Sequence, residues 1–511
     1  NGHSISNFRL VDPVYARRDG LFSSIGSTGV VRNLNLVGGY VAATATTPPF
    51  VEPSTQIGGL AAQNSGTIEN VTSTAEVYSD AGESPVGGLV ARNPNSGIIR
   101  NVTCNTNVTI GQNAFNTYQS NCVAYNTGLI DTAIVESGSL FAPSGTAGGT
   151  TRACSTAPCP TTGSWMGPIA GANGGTTGTF ATSIIKNSHA SIPVTNSNNI
   201  NAGNYTGGLV GGNLDATLQD SYATGDVQGA SYVGGVVGRA QMASSRIQRV
   251  YATGNATCVA NCAALVGDNY GNISNVWSKG DATGTATDVG ALIGINRVSG
   301  SVDHAFSFGS VHGTSGIGGA VGHNFGMMTQ VYSLGAVSGS SGTGGSVGND
   351  ANDAGITATY WNTTTSNTTR GAGTVVAPVG ITGLTTAQLT SALPSGFDSG
   401  WAQDSATAGG FPYLAATTPP PAPTEQPAFK TIALTTTGGA EWTVPDDWNC
   451  AFNTIDAIGA GGNGGNGTSS GAGRGGGAGA WAQISNFCAS TGSAIPYTIG
   501  SGGNATPTLF K

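Results

Sequence analysis

The chain has few charged residues and few aromatic ones. Of its 511 residues, 8% are charged and 7% are aromatic, whereas 83 are glycine. Helices need charged solvent faces and tolerate glycine poorly, so this composition argues against a helical globular enzyme. Stacks of short strands and tight turns use glycine freely, because turns need backbone angles that other residues resist. The composition therefore favours an all-β fold.

Basic residues and long apolar runs are also scarce. The chain has 17 Lys and Arg against 25 Asp and Glu, and its net charge is −8. Without a basic run, the sequence predicts no nucleic-acid partner. It has no apolar run of the roughly 18 residues that a membrane span requires, so we predict no span in this chain. The first residues already alternate like a strand, at Ile5, Phe8 and Leu10, so we expect a leader before Asn1 in the full product.

Cysteine is infrequent, and its eight residues fall into four local groups. None has the Cys-x-x-Cys spacing with further ligands that a zinc site requires, so we predict disulfides formed in an oxidising compartment. The alternative is a set of buried free thiols in a cytosolic protein. Neighbourhood in the sequence makes the simplest pairing Cys104–Cys122, Cys154–Cys159, Cys258–Cys262 and Cys450–Cys488.

A unit of about 27 residues repeats along the middle of the chain. Its clearest copies are Gly207-Gly-Leu-Val-Gly211 with Ser221-Tyr-Ala-Thr-Gly225, and Gly234-Gly-Val-Val-Gly238 with Val250-Tyr-Ala-Thr-Gly254. A repeat of this length is typical of one coil in a stacked array. One aromatic residue recurs at the same phase of each unit, and we predict that it lies in the repeat core: Tyr222, Tyr251, Trp277, Phe306 and Tyr332.

The repeat predicts a β-solenoid, in the form of a right-handed parallel β-helix with about three short strands per coil. The three strands would be the Gly-Leu-Val-Gly stretch, the stretch with inward Ile or Val and the aromatic residue, and the Gly-x-Val-x-Gly stretch. Alternating apolar residues would place one side of each strand in a narrow interior. About ten to twelve coils stacked at ~4.8 Å would form a rod on the order of 50–60 Å long.

The solenoid is predicted to occupy most of the chain. We assign residues 1–348 to it, with an irregular insertion at 139–182. Trp165 and Met166 lie near that insertion and are assigned to the coil core. After it, residues 349–416 form a closing segment, because the last coil of a stack needs a cap over its open strand edge.

The remaining segments differ in composition. Within the closing segment, a short helix is predicted over Thr385–Ala392. Residues 417–428 are rich in proline and are expected to form a semi-rigid linker. Residues 429–511 are predicted to form a small glycine-rich β module that is incomplete in this chain.

The repeated phrases resemble the GLUG repeat of bacterial surface proteins, among them filamentous-haemagglutinin-like adhesins. The resemblance covers roughly residues 1–416 and implies a β-solenoid stalk at the cell surface rather than a reaction. Metallopeptidases that carry the repeat have a separate His-Glu-x-x-His helix, which this sequence lacks. Trp442-Thr-Val-Pro-Asp-Asp-Trp448 and the later tract Gly459–Gly479 are similar to glycine-rich domains of phage and prophage fibres, which implies receptor contact by the glycine tract.

No group of residues in the sequence forms a motif for catalysis, cofactor binding or metal binding. Asp226 and Asp281 would lie on one side of a β-helix about 10 Å apart, but no arginine or aromatic platform is evident beside them, and acids at turns normally cap backbone groups. Coil geometry could bring His304 and His323 together, although separate structural roles are the favoured interpretation. We therefore predict no catalytic residue, no cofactor and no metal site.

The leading hypothesis is an extracellular structural and adhesive protein of the bacterial cell surface. Its stalk would present binding surfaces for attachment or for assembly into filaments. The expected partners are a cell-surface glycan or protein receptor, or further copies of the chain in a fibre. Two alternatives stay open: a phage-type tail fibre or receptor-binding protein, and a polysaccharide-processing β-helix enzyme acting through Asp226 and Asp281.

Overall fold

The described residues between 3 and 384 form coils whose short strands pair from one coil to the next. Each strand pairs in parallel with the equivalent strand of the neighbouring coil, so that Tyr222 lies opposite Tyr251 and Val237 lies opposite Val266. Four parallel sheets result, named A to D here in the order in which the chain visits them. Parallel pairs one coil apart define a β-solenoid, so the fold class predicted from the repeat is confirmed.

The strands of each sheet follow one another along the solenoid axis. Sheet A contains His3–Ser6, Val30–Val37, Thr67–Ser73, Ile98–Cys104, Leu129–Val135, Ile184–Lys186, His189–Ala190, Thr217–Ala223, Arg246–Ala252, Asn272–Ser278, Ser301–Ser307, Met327–Ser333, Ile356–Asn362 and Ile381–Leu384. Sheet B contains Arg9–Asp12, Tyr40–Ala43, Glu76–Ser79, Asn107–Ile110, Ser139–Ala142, Val194–Asn196, Val227–Gln228, Ala256–Cys258, Ala282–Gly284, Val311–His312 and Val337–Ser338. Sheet C contains Arg18–Asp19, Gln56–Gly58, Pro85–Gly87, Tyr118–Ser120, Trp165–Met166, Tyr205–Gly207, Ser231–Gly234, Ala260–Ala263, Thr287–Gly290, Ser315–Gly318 and Ser341–Gly344. Sheet D contains Ala61–Gln63, Val90–Asn93, Val123–Asn126, Ala170–Gly174, Val210–Leu214, Val237–Ala240, Val266–Asn269, Ile293–Asn296, Val321–Asn324 and Val347–Asp350.

The chain divides into two units, Asn1–Thr418 and Pro419–Lys511. The predicted linker beyond Thr417 and the glycine tract after Gly459 lie outside the described residues. The computed structural model describes residues 3–12, 18–43, 56–79, 85–111, 118–142, 164–175, 183–196, 204–351, 355–375, 378–405, 407–417, 432, 434–445, 448, 454–459, 481–485, 487, 489–500 and 509–510.

A full coil has four strands, whereas the sequence predicts about three. The difference arises in the Gly-Gly-Leu-Val-Gly phrase, where the chain bends: Tyr205–Gly207 belongs to sheet C and Val210–Leu214 belongs to sheet D. Gly208 lies at the bend, where an added Cβ would come within 2.0 Å of the carbonyl oxygen of Gly235 in the next coil. Only glycine allows two backbones to approach so closely. The phrase therefore encodes a corner between two strands.

The interior of the solenoid is a continuous apolar column. Its members in the sheet A strands from residue 67 to residue 333 are at most 1% exposed, and apolar residues of sheets B, C and D pack against them in the same cluster. Because one coil cannot enclose its own apolar residues, stacking creates the core. In sheet A, residues that lie opposite one another in successive coils are Leu218, Ile247, Ile273, Val302 and Met328.

The parts of the predicted insertion 139–182 that the structure describes belong to the coils. Ser139–Ala142 is a strand of sheet B, Trp165–Met166 of sheet C and Ala170–Gly174 of sheet D. Met166 packs in the interior, but Trp165 lies in a separate cluster outside the coil, not in the core as predicted. The ranges 143–163 and 176–182 lie outside the described residues.

Buried asparagines form a ladder along the last position of sheet D. From Asn64, each side-chain Nδ2 donates to the Oδ1 of the asparagine one coil further, at 2.7 to 2.9 Å. A second run, after a gap at Ala240, joins Asn269, Asn296 and Asn324 at 2.8 to 2.9 Å. The ladder satisfies amides that would otherwise be costly to bury. Its first run is Asn64, Asn93, Asn126, Asn173 and Asn213.

The ladder predicts a large stability cost for Asn126→Ala. Asn126 is fully buried, accepts from Asn93 at 2.7 Å and donates to Asn173 at 2.8 Å. Removing it leaves a buried donor and a buried acceptor unpaired, so we expect a loss of about 1–3 kcal/mol in the free energy of unfolding. Urea unfolding of the purified chain measures this loss. The exposed Asn95→Ala is the matched control, and an equal effect of both substitutions would contradict a special role for the ladder.

Every level of sheet A between residues 33 and 358 has a residue with a positive φ, between 45 and 61°, which lies within the strand or, for Asn187, between two short strands. Asparagine tolerates this left-handed backbone better than most residues, and it occupies five of the positions. The extra residue acts as a bulge, so the side chains that follow it change faces. The positions are Asn33, Asn70, Asn101, Thr132, Asn187, Asp220, Arg249, Asn275, His304, Gln330 and Ala358.

Because of this bulge, the aromatic column lies outside the coils rather than in the repeat core, where the sequence places it. Leu218 before the bulge and Ala223 after it both pack in the interior, whereas Tyr222 stacks on Tyr251 outside that cluster. Strict alternation from Leu218 would have turned Tyr222 inward; the left-handed residue Asp220 shifts the alternation by one. The stacked rings lie 4.4 to 5.9 Å apart along the column Tyr222, Tyr251, Trp277, Phe306 and Tyr332.

After Leu384, where the last strand of sheet A ends, the chain leaves the coils and folds over the C-terminal end of the aromatic column. This segment contains the helix Thr386–Ser391, the 3-10 turn Ala408–Gly410 and the antiparallel pair Trp401–Ala402 and Tyr413–Leu414. The helix predicted over Thr385–Ala392 is thereby confirmed. It begins with a capping box, in which Thr385 and Gln388 exchange side-chain to backbone hydrogen bonds.

This closing segment is held by packing and by polar contacts. Its buried Leu389, Trp401 and Leu414 form one cluster with Phe306 and Tyr332 of the aromatic column. The hydroxyl of Tyr332 donates to the carbonyl of Pro412. The closing segment therefore covers aromatic rings that the bulge has turned out of the core.

His304 joins the closing segment to sheet A through two carboxylates. Its Nε2 lies 2.9 Å from Oδ1 of Asp398, and its Nδ1 lies 2.8 Å from Oδ2 of Asp303. Gln330 also holds Asp398, whose backbone N–H donates to the Gln330 side chain at 3.0 Å. Burial opposes the charged ring, but these two carboxylates outweigh it and raise the pKa of His304. The hydrogen bond from His304, together with the Gly400 amide, lowers the pKa of Asp398 to about 2.

These shifts predict that the closing segment docks most firmly from mildly acidic to neutral pH. The raised pKa of His304 gives stability below its unfolded value, and that stability is lost as pH rises through the folded pKa. The lowered pKa of Asp398 gives stability above its unfolded value, which is lost as pH falls towards about 2. Hydrogen exchange of residues 385–416, corrected for intrinsic rates, should show less protection at pH 9 than at pH 6. In His304→Gln this difference should disappear; persistence of the full difference would contradict the assignment.

The second unit has antiparallel sheets. Gly438–Thr443 pairs with Ala494–Ile499, which pairs with Leu509–Phe510, and Thr454–Ile458 pairs with Trp481–Ser485. Trp442, Val444 and Tyr497 form its buried cluster. Trp448 packs edge-on against Trp442 at 5.0 Å and donates its indole N–H to the carbonyl of Phe487.

Candidate binding site on the outer face of the solenoid

The described cysteines differ in their bonding. Cys104, at the end of a strand of sheet A, is bonded to Cys122 at the corner between sheets C and D, and both are fully buried. Cys258 and Cys262, predicted as a pair, are instead buried free thiols, and burial together with a hydrogen bond to Cys258 raises the pKa of the Cys262 thiol. The other four candidates lie outside the described residues: Cys154, Cys159, Cys450 and Cys488.

The acids considered for catalysis cap backbone groups instead. Asp226 Oδ1 accepts from the backbone N–H of Asn255 at 2.8 Å, and Asp281 Oδ1 accepts from the backbone N–H of Ser310 at 2.7 Å. Asn255 fills the same role between them, accepting from the N–H of Asp281 at 2.9 Å. All three belong to one exposed capping row at the corner between sheets A and B.

The histidines lie apart in the structure. His304 holds the closing segment, whereas His323 lies 3.4 Å from Asp288 and stacks on Phe325. Among the residues that the structure describes, no three His, Cys, Asp or Glu side chains come together in a way that could hold a metal ion.

An aromatic surface follows the outer corner at which sheet C meets sheet D. Tyr118 of sheet C and Tyr125 of sheet D contact each other across this corner, with ring centroids 5.1 Å apart. Trp165 of sheet C lies over Gly212 of sheet D, where an added Cβ would come within 2.0 Å of the indole ring. Outer side chains of the two sheets thus touch, which makes the outside of this corner concave. We name the aromatic strip by its six rings: Tyr118, Tyr125, Trp165, Tyr205, Tyr232 and Tyr270.

The rings of the strip follow the stacking of the coils. Successive centroids lie 6.3 Å apart from Tyr118 to Trp165, 4.2 Å from Trp165 to Tyr205 and 5.2 Å from Tyr205 to Tyr232. Trp165 and Tyr205 are buried by their neighbours, and the four other rings of the strip are half-buried. The rings that reach solvent are therefore those of Tyr118, Tyr125, Tyr232 and Tyr270, while Trp165 and Tyr205 fill the middle of the strip.

A buried carboxylate lies between two arginines at one end of the strip. Asp268 is fully buried, and its carboxylate oxygens lie 2.7 Å from Nε of Arg297 and 3.3 Å from Nε of Arg239. Both guanidinium groups stack on the ring of Tyr270, at 5.0 Å for Arg239 and 5.4 Å for Arg297. Burial raises the pKa of Asp268, and the two arginines oppose that rise. The arrangement fixes two guanidinium planes against aromatic faces.

Arg239 links the strip to the carboxylate. Its guanidinium lies 5.0 Å from the ring centroid of Tyr205 and 6.0 Å from that of Tyr232, and it donates to the hydroxyl of Tyr205. At the other end of the strip, Arg92 lies 5.2 Å from the centroid of Tyr125. Arg92 differs from Arg239 and Arg297, which both pair with Asp268, because no carboxylate among the described residues pairs with it.

Sequence reasoning missed this site because it sought carboxylate pairs across solenoid faces. It considered Asp226 and Asp281, beside which no arginine or aromatic platform was evident in the sequence. The sequence did contain a signal, the position of each residue within its repeat. Arg239 and Asp268 both follow directly after the last glycine of a repeated phrase, and they lie opposite each other in sheet D. The same phase argument misses Arg297, which follows the strand and reaches back.

The comparisons with known proteins cover part of the chain. Residues 202–228 match the family model described as the GLUG motif. The chain is 36% identical over 143 residues to Halomucin of Haloquadratum walsbyi (strain DSM 16790 / HBSQ001). That alignment covers 24% of this chain but only 2% of halomucin. No solved structure matches.

These matches support a surface protein built from GLUG repeats. The GLUG match includes the corner glycines Gly207 and Gly208 and the outward Tyr222, so it falls on the features that define a coil. Among the described residues, none of the helices has the length and apolar character to cross a membrane.

The site predicts a severe effect of Asp268→Asn. The substitution removes the charge that both Arg239 and Arg297 face from a fully buried position, so we expect a loss of about 3 kcal/mol in the free energy of unfolding. Chemical denaturation of the purified variant gives the value. Asp220→Asn is the matched control, because its pair with Arg249 is about one-third exposed and should contribute about 0–1 kcal/mol. Equal losses for the two variants would show that the buried contacts of Asp268 contribute no more to the free energy of unfolding than an exposed ion pair does.

Proposed function

We propose that this chain is part of an extracellular structural protein of the cell surface, in which the solenoid is a stalk that presents adhesive surfaces. The observation that carries the proposal is the parallel register, which continues through sheet A from His3–Ser6 to Ile381–Leu384 without a change of direction. About thirteen levels at ~4.8 Å give a stack on the order of 60 Å in the first unit. Such an elongated stack suits a protein that extends a binding surface away from the cell rather than one that encloses a ligand in a pocket.

The direction of the hydrogen bonds suits a stalk. Backbone hydrogen bonds between coils run along the axis of the stack, and the asparagine ladder adds side-chain bonds in the same direction. Tension along the axis is therefore shared among four sheets in each coil. A stalk of this kind leaves its outer faces free to bind partners, and the aromatic strip is one such face.

The comparisons favour a surface location over an internal one. The GLUG motif and the partial similarity to halomucin are both consistent with a secreted or surface-bound product. Assembly into fibres and recognition of a receptor are part of the proposal, because long stacks can associate end to end or side by side.

The two alternatives have less support. The enzyme hypothesis depended on Asp226 and Asp281, whose carboxylates accept hydrogen bonds from backbone amides of the next coil. The hypothesis of a phage-type fibre depended on the glycine tract Gly459–Gly479, which beyond residue 459 lies outside the described residues. Neither alternative is favoured by a specific contact in the described part of the chain.

Surface labelling of intact source cells tests the proposal. An antibody raised against residues 204–351 should bind intact cells, or the material that they shed, as well as it binds permeabilised cells. Beads coated with the purified chain should then attach to the same cells more than beads coated with an unrelated β-protein. Labelling that requires permeabilisation would overturn the surface location, and equal attachment of both bead types would overturn the adhesive role.

A further inference from the structure

We propose that the aromatic strip, together with Arg92, Arg239 and Arg297, is a binding site for a linear acidic polysaccharide that lies along the solenoid axis. This inference rests on the adhesive role proposed above and names the ligand class of one face. It is carried by the spacing of the rings, by the charge of the arginines and by the absence of free backbone groups at the strip.

The first argument is the spacing. The ring centroids between Tyr118 and Tyr232 are separated by 4.2 to 6.3 Å, because each coil contributes at the same position. The half-buried rings of Tyr118 and Tyr232 lie at the two ends of this row, with the buried Trp165 and Tyr205 between them, so an elongated ligand along the axis contacts both ends. Sugar rings present apolar C–H faces, which pack on aromatic side chains, and hydroxyls, which pair with tyrosine hydroxyls.

The second argument is charge. The chain is acidic, with a net charge of −8, yet three of its 17 basic residues stand at the strip. Arg239 and Arg297 share the single carboxylate of Asp268 and Arg92 has no carboxylate partner among the described residues, so the strip carries a net positive charge on an acidic protein. Just beyond it, Asp288 lies 3.4 Å from His323 and marks where this positive character ends. A ligand with regularly spaced carboxylates complements this surface.

The third argument is preorganisation. Stacking on tyrosine rings fixes the planes of all three guanidinium groups, and the free side of a planar guanidinium can bind a carboxylate with two parallel N–H donors. Arg92 has the greatest spare capacity, because among the described residues it has no carboxylate partner, whereas Arg239 and Arg297 both pair with Asp268. An acidic sugar at Arg92 would therefore add an interaction and displace none.

The backbone at the strip favours a polysaccharide over a peptide. A peptide commonly binds to a β-fold by adding a strand, which requires an open sheet edge. At the strip the strands of sheets C and D are paired on both sides, for example Tyr205–Gly207 between Trp165–Met166 and Ser231–Gly234. Only side chains are presented there, which suits a ligand recognised by ring stacking and charge.

Binding measurements with the full chain test the proposal. Calorimetry with polygalacturonate should show binding that weakens as salt rises, because the charges are partly exposed, and neutral dextran should bind far less. Arg92→Gln should weaken polygalacturonate binding about tenfold, since it removes one charge-assisted double hydrogen bond. Arg246→Gln is the control, because this arginine is exposed on sheet A, away from the strip.

Each other outcome counts against the inference. Equal loss in Arg92→Gln and Arg246→Gln would place binding elsewhere, and binding of poly-glutamate in preference to polygalacturonate would identify a peptide ligand. Thermal unfolding of Arg92→Gln shows whether a loss comes from misfolding; Tyr125→Leu provides a second variant at the same end of the strip. If the chain attaches to cells but Arg92→Gln attaches equally well, the strip is not the adhesive face, while the proposed function stands.

Discussion

The parallel register between neighbouring coils is the constraint on which the rest of this structure depends. Equivalent residues of neighbouring coils lie opposite each other in every sheet, as Tyr222 and Tyr251 do in sheet A and Val210 and Val237 in sheet D. Chemically similar side chains then stack in rows: apolar residues in the interior, asparagines at the end of sheet D and aromatic rings outside sheet A. A single coil has none of these rows, because each row consists of contacts between coils.

A bulge in sheet A decides which rows are inside. The left-handed residue in the middle of each strand reverses the alternation, so Leu218 and Ala223 both face the interior although they are five residues apart. The aromatic residue between them is turned outward. Its exposure creates the surface on which the closing segment packs, through Leu389, Trp401 and Leu414. The repeat and its cap are thus linked by one backbone feature.

A corner produces the candidate binding surface in a similar way. The bend at Gly208 separates sheets C and D, and the concave outside of that corner brings Tyr205 of one sheet against Arg239 of the other. Asp268 is fully buried at this corner although it lies outside the apolar interior. A stalk built only for reach has no need of a buried carboxylate between two arginines. The network is consistent with a face that is kept in a fixed conformation for recognition.

The sequence by itself determined the β-solenoid and the length of its repeat. Glycine-rich phrases and an aromatic residue that recurs every 26 or 29 residues can be recognised within each unit of the sequence. The sequence also indicated the short helix at Thr385–Ala392, because a Thr and a Gln three residues apart satisfy the first turn locally. The GLUG match at residues 202–228 falls within the region where these phrases are most regular.

The tertiary structure alone decided which rows of side chains point into the coils and which point out of them, and with which partners the polar residues pair. One left-handed residue per strand reversed the predicted facing of Tyr222, and no local pattern marks it because Asn, Asp, Arg and His all occupy the position. The contacts of Asp268 with Arg239 and Arg297 each join residues 29 positions apart in the chain, and the contact of His304 with Asp398 joins residues 94 apart. Such contacts depend on how coils and cap are placed in space, which the order of residues within one repeat does not specify.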